Sequence, residues 1–258
     1  MFVPRSYQLD FDRKENKGVT NKPDHILSYY EGSVERLGSA PDLFYLHRID
    51  PSTPIQDSIT ALNSLKESGK VKYIGLSEPS ADTLREALKG KCTRGQGDRQ
   101  LTSVAHIDAL QIEYSPWFID HERDELIDVA RENGVTIVAY SPLGKGVLTG
   151  KFKDASQFAN DIRSQAPRFA ENFKDNLKIV EEFERLASKK GCTPGQLSIA
   201  WVAAQGAVPI PGTKNAGRLE ENWGATNVSL SEDELKEIRK AIEEAEPKGN
   251  RWVDRELS

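Results

Sequence analysis

The chain has 258 residues, with 40 acidic and 35 basic side chains and a formal net charge of −5. This length can bury one large core, and the negative charge without a dense basic tract argues against nucleic acid as a partner. No apolar run is long enough to span a bilayer, and the first residues lack the apolar stretch of a secretion signal. The only cysteines, Cys92 and Cys192, form no metal-binding pattern with the four histidines. We therefore expect no metal, no membrane and a reduced, cytoplasmic compartment.

Short apolar strands alternate with amphipathic helices along the chain, which is the pattern of a parallel sheet. Residues 1–22 are polar and irregular, and Pro23 begins a predicted helix that runs to Leu37. Five strands follow, predicted at 42–50, 71–77, 109–114, 136–140 and near 208. Further helices are predicted at 55–68, 81–89, 124–132, about 170–189 and 194–204. Five parallel strands with covering helices fit either a barrel or an open doubly wound sheet.

Three further local predictions come from turn and capping residues. A loop rich in glycine and charge is predicted at 91–100. Thr193 is the expected N-cap of the helix at 194–204, with proline as its first residue. Ser231 and Glu234 are expected to form a capping box at the start of an acidic helix.

The junction between the last strand and the next helix, at 208–215, carries the clearest chemical signal. Small residues at 212–213 let the backbone approach a phosphate, and a helix N-terminus favours an anion. Arg218, Glu221 and Asn222 follow at helical spacings of three and four, so they share one face. A guanidinium, a carboxylate and an amide on one face could clamp a 2′-phosphoadenosine group. An ordinary turn followed by a solvated, charged helix has the same local pattern, so both interpretations remain open on these residues alone.

Taken together, five ordered motifs resemble the aldo-keto reductases, which are NADP(H)-dependent enzymes with a (β/α)8 TIM-barrel fold. The motifs lie at 42–50, 69–77, 111–115, 139–150 and 211–222. The resemblance covers about residue 23 to the end and implies one α/β domain over residues 1–258, with 1–22 as an irregular segment. Within the family the chain is most similar to fungal and bacterial pyridoxal and aldehyde reductases.

The resemblance implies a role for each matching residue. His47 would orient the substrate carbonyl, and Tyr140 would stack on the nicotinamide ring of NADP(H). Ser77 and Gln111 would hold the carboxamide of that ring. The other implied cofactor contacts are Ser141, Leu143 and Gly144 along the pyrophosphate, Gly212, Thr213, Lys214 and Arg218 at the 2′-phosphate and ribose, and Glu221 and Asn222 at the adenine. Relatives commonly have asparagine where this chain has Glu78, so we expect Glu78 to accept hydrogen bonds only or to turn away.

The general-acid tyrosine of the family, with its lysine and aspartate, comes from βα units that precede the matched region, on the order of 90 residues in all. Nothing before Pro23 matches the tyrosine-glycine motif, and Tyr7 and Lys14 are not placed to act as an acid and its cation. Substitution by Tyr29 or Tyr30 is not expected either. We therefore expect a chain truncated to about five βα units, weakly active or inactive, with open sheet edges that favour a homo-oligomer.

Three functions remain open at this point. The first is NADPH-dependent reduction of a small aldehyde or ketone, with pyridoxal or aryl aldehydes as expected substrates. The second is a non-catalytic NADP(H)-binding module, and the third is a fold that neither binds nor reacts. Lys214 and Arg218 predict a preference for NADP over NAD in either of the first two cases.

Aromatic and imidazole side chains outside the motifs have simpler interpretations. Trp201 is predicted to lie in the core, whereas Trp117 and Trp252 are open between core and pocket wall. Three histidines show no partner pattern and are predicted to lie on the surface. They are His25, His106 and His121.

Overall fold

The structure is a computed structural model that describes residues 7–9, 16–89, 91–92, 101–102, 106–159 and 161–250. The predictions for Lys14, Trp252 and most of the loop at 91–100 concern residues outside these ranges. The chain forms two compact units, Met1–Ile112 with Asp120–Val138, and Glu113–Ile119 with Ala139–Ser258. The single domain over residues 1–258 stays a prediction. None of the helices in the described ranges is long and apolar enough to cross a membrane.

The first unit alternates strands with helices, as the sequence predicts. Its elements are β1 (Tyr7–Leu9), β2 (Asn16–Val19), α1 (Pro23–Leu37), β3 (Leu43–Leu46), α2 (Ile55–Glu67), β4 (Tyr73–Ser77), α3 (Ala81–Leu88), β5 (Lys91–Cys92), β6 (Leu101–Thr102), β7 (Ala109–Glu113), α4 (Asp120–Arg123), α5 (Leu126–Glu132) and β8 (Thr136–Tyr140). The last residues of β7 and β8 belong to the second unit. Strands β1 and β2 pair antiparallel, so residues 7–9 and 16–19 are more regular than predicted.

The parallel sheet of the first unit has the strand order β3-β4-β7-β8. β3 pairs with β4 in parallel, and β4 pairs with β7 in parallel. The register aligns Ser77 with Gln111. Because parallel strands end at the same edge of a sheet, these two polar side chains come side by side although 34 positions separate them in the chain.

Two differences from the predicted boundaries have local causes. The strand predicted at 42–50 is β3, and it ends at Leu46. The chain then turns at Asp50, whose carboxylate accepts the Ser52 backbone N–H at 2.8 Å. The helix predicted at 124–132 is α5, which begins at Leu126, and a separate short helix, α4, precedes it at Asp120–Arg123. Glu125, between them, has φ 64°, a left-handed conformation that interrupts a helix.

Helix α2 shows how the sequence fixes one face of a helix. Ile55, Ile59, Leu62 and Leu65 recur at spacings of three and four, and all four are buried. Their burial, at about 1.5–3 kcal/mol for each large aliphatic side chain, holds the helix on the sheet.

Gly75 in β4 is required by close packing rather than by backbone conformation. A Cβ at this position would lie 2.7 Å from the Ala109 carbonyl oxygen and would overlap the Tyr45 ring. We expect Gly75→Ala to destabilise the protein by about 1–3 kcal/mol in urea unfolding, because the buried sheet cannot move apart. The control is Gly32→Ala in α1, where the nearest atoms belong to the flexible Arg36 side chain. That change removes a helical glycine and should stabilise by about 0.5–1 kcal/mol. Equal effects of both substitutions would contradict this account.

The second unit is mainly helical. Its elements after β8 are α6 (Phe173–Lys190), α7 (Pro194–Ala204), β9 (Val208–Ile210), α8 (Ala216–Gly224) and α9 (Glu232–Ala245), with 3-10 helices at Gly144–Thr149, Ala155–Phe158, Ile162–Gln165 and Ala225–Asn227. β9 lies next to β8 in the sheet order. The N-cap predicted at Thr193 and the capping box predicted at Ser231 and Glu234 are both present, and Thr193 also forms a capping box with Gln196. Trp201 is fully buried against Tyr114, which confirms its predicted core position.

Candidate functional site

A cavity of about 630 Å³ lies within the second unit, where the chain leaves β8 and β9. The residues after these two strands and the exposed face of α8 form part of its wall. The lining residues are Ser141, Pro142, Leu143, Lys145, Gly146, Thr149, Lys151, Phe152, Arg163, Gly195, Pro211, Gly212, Thr213, Lys214, Arg218, Glu221 and Asn222. Every residue that the resemblance assigns to the pyrophosphate, the 2′-phosphate or the adenine is in this set, except Gly144.

The start of α8 is fixed by its own side chains. Asn215 is the N-cap, and its side-chain oxygen accepts the Arg218 backbone N–H at 3.0 Å. The Asn215 backbone N–H in turn donates to the Thr213 hydroxyl at 3.1 Å. The positive end of the helix dipole is therefore held at the cavity wall, where it favours a bound anion.

Five cationic side chains line the cavity against one carboxylate. Arg163 is held by Asp161, with a nitrogen–oxygen distance of 2.8 Å. Lys151 lies 3.9 Å from the Glu221 carboxylate. Lys214 and Arg218 form no ion pair with any residue that the structure describes. The remaining cation is Lys145. This excess of positive charge suits a ligand with several negative charges, such as a nucleotide with more than one phosphate.

The open space beside the Gly212 backbone, in the cavity wall, also suits a phosphate. A Cβ at Gly212 would meet no heavy atom within 4 Å, so the peptide there is open to a ligand. Gly144 is different, because its φ is 57° and a Cβ would lie 2.8 Å from Cβ of Trp117. Gly144 is therefore required by packing beneath the cavity wall.

Trp117 lies in the core of the second unit. Its ring centroid is 6.0 Å from that of Phe169, and its carbonyl oxygen accepts a hydrogen bond from Arg168 at 3.1 Å. Of the two interpretations left open by the sequence, core packing describes Trp117. Tyr140 ends β8 in the same unit and is half-buried.

Ser77 and Gln111 form a second polar group, in the first unit. Both are buried, and neither the Ser77 hydroxyl nor the Gln111 amide nitrogen makes a well-formed hydrogen bond with a described residue. The Gln111 amide approaches the buried Tyr45 phenol. Burial raises the pKa of Tyr45, and the Gln111 contact offsets only part of this effect. Two buried donors side by side fit the oxygen of a carboxamide, which accepts hydrogen bonds.

His47 directly follows β3 in the first unit and is half-buried. Arg48 donates to its carbonyl oxygen at 2.8 Å. A small cleft of about 20 Å³ has His47, His25 and Tyr29 among its lining residues. Tyr30 points elsewhere, because its hydroxyl donates to the Lys70 carbonyl oxygen at 2.8 Å.

The surface prediction for the three other histidines holds only for His106, which is exposed. His121 is buried between two carboxylates, those of Glu78 and Asp124. His25 is half-buried, with its ring 4.2 Å from the Tyr29 ring, and burial lowers its pKa. The sequence contained no sign that His121 is buried, because its partners are set by packing.

Among the described residues, no cluster of histidine, cysteine, aspartate and glutamate could hold a metal ion.

A parallel α/β sheet with polar side chains collected at its strand ends is the arrangement of (β/α)8-type enzymes. Residues 8–243 match the model of the aldo/keto reductase family. An aldo-keto reductase of Gibberella moniliformis is 46% identical over 242 residues, which cover 92% of this chain and 70% of the relative. The aldo-keto reductase yakc [NADP(+)] of Schizosaccharomyces pombe is 44% identical over 241 residues, covering 91% and 67%.

Solved structures agree with this assignment. A glycerol dehydrogenase from Gluconobacter oxydans superposes with a TM-score of 0.77 at 26% identity, covering 91% of this chain and 70% of that one. A thermostable aldo-keto reductase in complex with the inhibitor epalrestat superposes with a TM-score of 0.64 at 27% identity, covering 85% and 67%. The chain belongs to the aldo/keto reductase family, and its fold is of the (β/α)8 type. This family uses NADP(H).

Proposed function

We propose that this chain binds NADP(H) and belongs to an enzyme that reduces aldehydes or ketones to alcohols. The observation that carries the proposal is the cation-lined cavity of the second unit, in which Lys214 and Arg218 have no ion-pair partner among the described residues. A 2′-phosphate would supply that partner. The name of the fission-yeast relative, which includes NADP(+), supports the same choice of nucleotide.

The proposed contacts follow the two polar groups described above. In the second unit, Gly212, Thr213, Lys214 and Arg218 would bind the 2′-phosphate and ribose, Glu221 and Asn222 the adenine, Ser141, Leu143 and Gly144 the pyrophosphate, and Tyr140 the nicotinamide face. In the first unit, Ser77 and Gln111 would donate to the carboxamide oxygen. His47 would orient the substrate carbonyl by a hydrogen bond to its oxygen. NADPH, when bound, supplies the hydride that reduces the carbonyl carbon.

We further propose that these 258 residues on their own turn over carbonyl substrates weakly or not at all. Reduction also requires a proton on the carbonyl oxygen, and a tyrosine acts as an acid near neutral pH only beside a cationic partner. The sequence contains no match to the tyrosine and lysine motifs that serve this purpose in the family. A non-catalytic NADP(H)-binding module is the second candidate function, favoured by a cavity whose cationic lining suits the phosphates of a nucleotide.

A fluorescence titration with NADPH, NADH and 2′,5′-ADP tests the proposal. The last compound carries the adenosine 2′-phosphate but no nicotinamide. We expect NADPH and 2′,5′-ADP to bind and NADH to bind at least about tenfold more weakly, since a hydrogen bond to a charged group contributes about 1.5–3 kcal/mol. No binding of either 2′-phosphorylated compound would reject the proposal. NADPH oxidation in the presence of pyridoxal or an aryl aldehyde then separates the enzyme from the binding module.

A further inference from the structure

The ring of Tyr45 crosses one strand of the parallel sheet in the first unit. In the register, Tyr45 of β3 lies beside Gly75 of β4, and Gly75 lies beside Ala109 of β7. Paired residues of parallel strands share a face of the sheet, as do residues two apart on one strand, so Gln111 is on this face too. Ring carbons of Tyr45 occupy the place where a Cβ at position 75 would lie. The glycine therefore lets the phenol extend over β4 towards β7.

The phenol meets the Gln111 side chain on that strand. Neighbouring strands are about 4.8 Å apart, so a side chain that crosses β4 reaches the strand that carries Gln111. Tyr45 is fully buried, Gln111 is 6% exposed, and the amide approaches the phenol. Burial raises the pKa of Tyr45, and the Gln111 contact offsets only part of this rise, so the phenol keeps its proton at neutral pH. The contact therefore joins two neutral buried groups.

The Gln111 amide needs a neighbour that fixes its orientation. A glutamine amide has an NH2 donor at one end and a carbonyl acceptor at the other, and a rotation exchanges them. The Gln111 amide nitrogen and the Ser77 hydroxyl beside it make no well-formed hydrogen bond with a described residue. Such buried groups favour a ligand that completes their hydrogen bonds. A ligand that accepts from both is bound only while the amide presents its nitrogen.

We propose that Tyr45 is a positioning residue for the nicotinamide end of NADP(H), which acts by holding the Gln111 amide in the orientation that donates to the carboxamide oxygen. This inference rests on the proposed NADP(H) binding. The phenol oxygen accepts one N–H of the Gln111 amide and leaves the second N–H for the ligand. Gly75 belongs to the same arrangement, because a side chain there would displace the ring.

The test compares Tyr45→Phe with Tyr30→Phe. Tyr45→Phe removes one oxygen atom and keeps the ring, and we expect NADPH affinity to fall about three- to tenfold, the value of one hydrogen bond. Tyr30 is the matched control, a buried tyrosine of the same unit whose hydroxyl donates to the Lys70 carbonyl oxygen at 2.8 Å. Tyr30→Phe should leave NADPH affinity unchanged. Equal losses in both variants would show a general effect of removing a buried hydroxyl and would overturn the inference.

A double-variant cycle shows whether Tyr45 acts through Gln111. Gln111→Met keeps a side chain of similar length without the amide, and it should lower NADPH affinity by itself. In that background Tyr45→Phe should lower the affinity by less than about 1.5-fold, because two changes that act through one contact do not add. Additive effects, or a Gln111→Met variant with the affinity of the parent chain, would overturn the inference.

Binding of 2′,5′-ADP separates this inference from the proposed function. The compound carries no nicotinamide, so Tyr45→Phe should bind it as the parent chain does. If the parent chain binds neither ligand, the proposed function fails. If the parent chain binds both, and Tyr45→Phe keeps its NADPH affinity or loses affinity for both ligands alike, the positioning role is overturned while the proposed function stands.

Discussion

Replacing Arg218 by alanine is expected to weaken NADPH binding by roughly 10- to 150-fold, which corresponds to about 1.5–3 kcal/mol for one lost contact to a charged phosphate. The change is confined to the guanidinium, because the N-cap of α8 uses the Arg218 backbone N–H, which alanine retains. NADH has no 2′-phosphate, so its affinity should change little. The measurement is a pair of fluorescence titrations, which give the ratio of the two affinities.

Lys240→Ala is the matched control for Arg218→Ala. Lys240 is an exposed cation on α9 in the same unit, with 74% of its side chain exposed, and it does not line the cavity. Its removal changes the net charge by the same amount and should leave both affinities unchanged. Added salt should weaken NADPH binding of the parent chain more than that of Arg218→Ala, since the lost interaction is electrostatic. A parent chain with equal affinity for NADPH and NADH, unchanged by the substitution, would contradict the assignment of Arg218.

Replacing Asp50 by alanine is expected to destabilise the protein by about 3–5 kcal/mol, because two buried donors lose their acceptor at about 1–3 kcal/mol each and the exposed Ser52 loses two further hydrogen bonds. Asp50 is 3% exposed. One carboxylate oxygen accepts the Asn21 backbone N–H at 3.1 Å and the Thr53 hydroxyl at 2.7 Å. The other accepts the backbone N–H and the hydroxyl of Ser52 at 2.8 and 2.6 Å. The network joins Asn21, two residues before α1, to the turn that follows β3.

The same carboxylate predicts a loss of stability in acid. Burial alone would raise the pKa of Asp50, but hydrogen bonds from Ser52, Thr53 and Asn21 lower it to about 2. A group whose pKa is lower in the folded state stabilises that state when it is ionised. Its contribution is therefore complete above about pH 4 and is lost as the pH falls through about 2, with a magnitude of about 2 kcal/mol.

Urea unfolding at neutral pH and near pH 3 measures both effects, with Asp82→Ala as the control. Asp82 lies in the first turn of α3 and is 94% exposed beside Arg85, so its removal should cost less than about 1 kcal/mol. The difference between the parent chain and Asp50→Ala should shrink near pH 3, since the parent then loses part of the same stabilisation. A difference of less than about 1 kcal/mol at neutral pH would show that water replaces the carboxylate at little cost.

One face of α8 shows how much of the candidate site a local sequence pattern can predict. Arg218, Glu221 and Asn222 share a face because an α-helix turns every 3.6 residues, and all three line the same cavity. The sequence did not indicate Lys151 or Arg163 as members of that cavity. They lie in the long polar connection after β8, and no spacing relates them to α8. Only the folded chain brings their charges to the same wall.

Periodicity and capping chemistry are local, so the sequence alone determined most elements of this fold. The buried face of α2, the Thr193 and Ser231 caps and all five parallel strands follow from residues within a few positions of one another. The pairing of β1 with β2 escaped prediction because short polar strands carry no clear alternation.

Burial between elements was decided only by the tertiary structure. His121 looks like a surface histidine on its short helix, yet the end of β4 brings the Glu78 carboxylate to its ring. In the sequence Gly75 is simply one residue of a predicted strand. Only the packing shows that the Tyr45 ring occupies the place where a Cβ at this position would lie. The energy of such contacts depends on which distant residues share a space, and this depends on how the elements pack rather than on any local pattern.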